Sequence, residues 1–163
     1  MNINLIIKEQ VKNTLQEIGT ATAKSYNYRL IDDRGGEHNY EFISDSKLLY
    51  DVLIYVEENQ TLDISFYVRE NEYQNPDATA VTNKGEMFKV MATITAIIKE
   101  VVNKVGDIRY IKFSPTKKSG ERTPLDQTQR FRLYMAYIKN VFPNSKVQNV
   151  KDRGEDYILI ELL

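Results

Sequence analysis

The sequence predicts a mixed α/β domain, with one sheet and helices packed on its faces. Three observations carry this. Four short segments between Tyr26 and Arg69 alternate apolar and polar residues with the period of a half-buried strand. One long apolar stripe at helical spacing runs over Lys84–Val105. A further strand, a second amphipathic helix and a hairpin then close the chain. Antiparallel strands ahead of a strand–helix–strand crossover require a sheet of mixed direction. That crossover should be right-handed.

In order, Leu5 to Ile18 reads as a helix, with Leu5, Val11, Leu15 and Ile18 on one side and Gly19 as its stop. Tyr26, Tyr28 and Leu30 alternate in the first strand. Arg34-Gly35-Gly36-Glu37 is a hairpin turn, because adjacent glycines supply the positive φ such turns need. Strands follow at about Asn39–Ser44, Tyr50–Glu57 and Leu62–Arg69. Tyr50, Val52, Ile54 and Val56 share a face of one; Leu62, Ile64, Phe66 and Val68 share a face of the next. The loop QNPDATAVTN leads to the helix Lys84–Val105, striped by Met87, Met91, Ile94, Ile98, Val101 and Val105 and stopped by Gly106. DIRYIKF is a fifth strand and PTKKSGERTPLDQ a long polar loop. TQRFRLYMAYIKNVF is a helix, with Phe131, Tyr134, Met135, Ile138 and Phe142 inward. KVQNVKD and DYILIEL form the last hairpin.

A length of 163 residues fits one domain, 1–163, able to bury a core without staples. The chain has no cysteine, which excludes disulfides and thiolate metal sites and points to assembly inside a cell. A net charge of -1 gives no general attraction to nucleic acid or anionic membrane. The first residues lack the pattern of a secretory signal, and no apolar run approaches a membrane span.

Two stretches, TNKGEMFKVMATITAIIKE (82–100) and RFRLYMAYIKNVFPNSKV (130–147), give the chain a resemblance to the GNAT acetyltransferases. It covers about residues 26–163, with the family's first strand missing or merged. The resemblance implies an acyl-CoA pyrophosphate held at the start of the long helix, by Asn83, Lys84 and Gly85, and a proton-donating tyrosine at Tyr134. The segment from Val81 to Tyr137 is also similar to small tailed-phage proteins. The cofactor loop departs from the GNAT pattern. Ala80 to Gly85 holds one glycine, where a row of bare backbone N–H groups should cradle the phosphates. Asn83 and Glu86 have the spacing of a reciprocal helix cap, which would occupy those donors and set a carboxylate where the pyrophosphate belongs.

Other candidates read as structural. Eleven tyrosines make any one of them, Tyr134 included, a weak catalytic candidate, and Tyr50, Tyr55 and Tyr67 read as sheet residues. His38, the single histidine, reads as a solvated hairpin residue. Asp32, Asp33 and Glu37 suggest a cation site but lack the calcium-loop pattern and read as a charged turn. No metal site is expected. Lys117, Lys118, Arg122, Arg130 and Arg132 form a basic stretch in and after the long loop, read as an interface for an acidic protein surface. Little aromatic interleaving disfavours nucleic acid as its ligand.

The reading that follows is a non-enzymatic structural protein of a tailed-phage virion, of neck, tail-ring or baseplate type. It would have no cofactor and no membrane contact, would assemble in the host cytoplasm, and would act in a homo- or hetero-oligomer with other virion proteins. The alternative is an acyl-CoA-dependent N-acetyltransferase.

Overall fold

The computed structural model describes residues 24–69, 84–113, 135, 138–153 and 155–162. The expected helix over Leu5–Ile18 and the loop over 114–127 lie outside them.

Seven strands form one sheet in the order β1-β2-β3-β4-β5-β7-β6. They are β1 (Tyr28–Asp32), β2 (Glu37–Ile43), β3 (Leu49–Glu57), β4 (Thr61–Val68), β5 (Tyr110–Phe113), β6 (Lys146–Asp152) and β7 (Glu155–Glu161). All neighbours are antiparallel except β4 and β5. The helix α1 (Lys84–Val105) makes the crossover between those two. A second helical segment contains Met135 and residues 138–141. This is the mixed α/β architecture that the element order predicts. Four strands precede the crossover, as the sequence reading has it.

Local chemistry explains the turns. Gly35 and Gly36 have φ of 64° and 81°, and the Glu37 amide bonds the Arg34 carbonyl at 3.1 Å. Two consecutive positive φ angles give a turn whose twist matches the flanking strands. Between β3 and β4, Asn59 and Gln60 take up φ of 66° and 61°. β5 begins later than the sequence suggests, at Tyr110, because Gly106 and Asp107 turn left-handed and the Arg109 amide is tied to the Gln60 carbonyl at 2.9 Å.

The core lies between the inner sheet face and α1. Val90, Met91, Ile94, Ile97, Ile98 and Val101 are fully buried, as are Val52, Leu62, Ile111, Ile158 and Ile160. This is the stripe read from the sequence, with its start and end more open: Met87 is half-buried and Val105 exposed. Rings fill the β1–β3 end. Tyr26 stacks on Phe42 at 5.9 Å, and Phe42 on Tyr50 at 4.9 Å. Thr93 joins helix to sheet: its hydroxyl donates to the Lys89 carbonyl and accepts the Tyr26 amide at 2.8 Å.

His38 is not solvated. It sits on the inner face of β2, 8% exposed, because the period-2 alternation that buries Tyr40 and Phe42 also turns His38 inward. Among the described residues its Nδ1 and the Tyr40 hydroxyl have no hydrogen-bond partner. Burial, and then the nearby Glu100 carboxylate, raise the Tyr40 pKa well above its ordinary value.

Candidate functional site

α1 opens with Lys84 and Gly85 and carries Glu86 in its first turn. Asn83 lies outside the described residues. The expected cap between Asn83 and Glu86 therefore lies outside the described residues too. Glu86 is 4% exposed and reaches to the β2–β3 turn. There Oε1 accepts the Ser46 amide at 2.8 Å and Oε2 accepts the Ser46 hydroxyl. Burial works to raise the Glu86 pKa. The Ser44 and Ser46 hydroxyls and the Ser46 amide outweigh it and hold the carboxyl below its ordinary range. The turn is itself braced, with the Ser44 amide bonded to the Leu48 carbonyl at 2.9 Å and the Lys47 amide to the Ser44 carbonyl at 2.9 Å. Glu86 therefore clamps the start of α1 to the sheet. Both of its oxygens are engaged in that clamp.

The second feature is the described β4–β5 ladder and its flanks. The β4–β5 ladder runs from Thr61↔Tyr110 to Ile64↔Phe113. β4 continues four residues further, to Val68. On the other side β5 meets β7 up to Phe113↔Ile158, and β7 starts three residues earlier, at Glu155.

The third feature is a titratable cluster on the outer face beside that ladder. Asp63 is opposite Lys112 one pair before the ladder ends, with Oδ2 3.9 Å from Nζ. The Lys112 ammonium also lies 4.7 Å from the centre of the Tyr157 ring. Glu57 completes the group. Burial raises its pKa most, Lys112 opposes the rise, and Asp63 adds to it by Coulomb repulsion and a hydrogen bond. The sequence reading missed these residues. Asp63 and Lys112 stand at polar positions of alternating strands, but only the register shows that they face each other.

The remaining expected site residues fare unevenly. Tyr134, Lys117, Lys118, Arg122, Arg130 and Arg132 lie outside the described residues, as does the side chain of Lys84. Other cations of the basic region are engaged: Arg109 bonds Glu161 at 3.2 Å, and Lys139 donates to the Ser145 carbonyl. The acidic turn holds no cation group. Asp32 pairs with Arg34 at 3.0 Å and Asp33 with Lys104 at 2.8 Å, and among the described residues no three metal-ligating side chains converge. Tyr55 and Tyr67 lie on the outer sheet face, about half exposed, and Tyr50 is in the core.

No protein-family model and no curated protein matches the chain. Two solved structures are similar to it in fold. One is a Bacillus subtilis acetyltransferase in complex with CoA, 11% identical, at a TM-score of 0.46 over 85% of this chain and 98% of that one. The other is a GNAT-family acetyltransferase from Staphylococcus aureus, 13% identical, at a TM-score of 0.31 over 96% of this chain and 93% of that one. The expectation of a non-enzymatic virion component is corrected by these comparisons: both similar structures are acetyltransferases, and neither is a phage protein. That expectation rested on the likeness to phage proteins, the missing catalytic set and the long loop; its added argument, a Glu86 charge at the helix end, is weakened because that carboxylate accepts bonds from Ser46.

Proposed function

We propose that the chain is an acyl-CoA-dependent acetyltransferase acting on an amine. The observation that carries this reading is the Glu86 clamp. It fixes the start of α1 and turns away the one acidic side chain of the first turn. A helix start carries free N–H groups and partial positive charge, which suit a pyrophosphate.

In the reaction the amine nitrogen bonds to the thioester carbon and the C–S bond breaks. CoA leaves as a thiolate that takes up a proton, and the amine gives one up. The Glu57–Asp63 pair offers a candidate base, since a carboxyl raised above its ordinary range, as Glu57 is, is a stronger base. Tyr134 is the proton donor that the GNAT resemblance implies. The test is thiol release from acetyl-CoA over a panel of primary amines. Turnover should fall in Glu57→Gln and Asp63→Asn variants that still bind acetyl-CoA. No thiol release with any amine, from folded protein, would contradict the proposal.

A further inference from the structure

The sheet has two outer edges, β1 and β6, and their side chains differ in kind. An open edge offers unpaired backbone groups to another strand, and charged residues commonly block it. β6 carries exposed Lys146 and Lys151 near its two ends. Exposed lysines on an edge strand are a common block to pairing with another strand.

β1 is the reverse case. Leu30 and Ile31 are 40% and 49% exposed. Arg29 pairs with Glu41 and Asp32 with Asn39 in the β1–β2 register, with one extra residue, Ile31, between Leu30 and Asp32. Glu41 and Asn39 are two apart on β2 and so share a face. Arg29 and Asp32 therefore share that face too, although they are three apart. Without the bulge they would point to opposite faces.

We infer that a second copy of this chain pairs with β1 in an antiparallel, two-fold arrangement, joining the two sheets edge to edge. The register that matches charge sets Arg29 of each copy against Asp32 of the other. It also sets Leu30 of each against Ile31 of the other. A two-fold contact uses the same patch twice, so the patch must be self-complementary, and this one is, in charge and in apolar content. Arg29 is free to serve both contacts. Its side chain is 75% exposed, and Glu41 keeps a second partner in Arg69 at 3.1 Å. Among the described residues Asp32 pairs with the 89%-exposed Arg34. This inference is independent of the acetyltransferase reading.

The test is solution mass by light scattering and sedimentation. The wild-type chain should weigh twice its 19.0 kDa. Arg29→Asp and Asp32→Arg, each alone, face like charges in both pairs and should weigh one chain. Mixed in equal amounts they should return to two, because the mixed pair restores opposite charge at both contacts. Ile31→Lys, at an exposed position, should also give single chains, and thermal melts would confirm that every variant is folded. A wild-type mass of one chain, a dimer that survives each single variant, or a mixture that stays monomeric would each overturn the inference.

Discussion

The two faces of the β1–β4 half of the sheet are built on opposite principles. The inner face is closed by α1 and is almost wholly apolar: Tyr40, Phe42, Val52, Ile54, Leu62 and Ile64 are at most 2% exposed. The outer face carries ionised side chains laid across strands. Arg69 bonds Asp51 through Nε at 2.8 Å and reaches Glu41 at 3.1 Å, while Arg29 bonds Glu41 from the other side at 2.6 Å. Burial on one face specifies the fold, and the other is left to carry charge. The carboxylates proposed for chemistry, Glu57 and Asp63, sit on that second face, where changing them disturbs packing least.

The comparison predicts a graded series of stability effects. The largest belongs to the inner face. Ile94→Ala leaves a cavity under α1 and should cost about 2–5 kcal/mol by chemical denaturation. A loss near zero would mean that the helix is not seated on the sheet.

Glu86→Gln comes next, at about 1–3 kcal/mol, since a buried acceptor of several donors is weakened. Its pH dependence has a definite sign. A carboxyl held below its ordinary value stabilises the fold above the unfolded pKa, near 4.5, and loses that stabilisation as pH falls through the folded value. The gap between wild type and variant should narrow as pH drops from 4.5, measured by denaturation at each pH. A gap that stays constant would contradict the clamp.

Arg69→Met tests the outer network. Its guanidinium is half exposed and solvent screens the pair, so about 0.5–1 kcal/mol is expected. The smallest effect is that of Glu57→Gln, and its sign is reversed. A carboxyl raised by burial is held uncharged at some cost, and that cost grows as pH rises through its folded value. The variant should be as stable as wild type or slightly more so at neutral pH. Clear destabilisation there would remove Glu57 from the list of groups retained for chemistry.

Much of the fold was legible in the sequence, and the reasons are physical. Periods of two and near four mark faces directly, so Tyr50–Glu57 and Lys84–Val105 could be placed within a residue or so. Gly35-Gly36 marked its turn because few other residues take two positive φ angles. The site was far less legible. Glu86 at cap spacing from Asn83 gave a local explanation, yet its partners lie forty residues away in the β2–β3 turn. Asp63 and Lys112 are linked by strand register, which spacing does not encode. His38 was misread because proximity to a turn outweighed the alternation that buries it.

The most direct test of the account is a calorimetric titration of the full chain with acetyl-CoA and, in parallel, with acetyl-pantetheine, which lacks the pyrophosphate. A fixed, uncluttered start of α1 predicts saturable one-site binding of acetyl-CoA and markedly weaker binding of acetyl-pantetheine. Heats of dilution alone for both ligands, or equal affinity for the two, would contradict it.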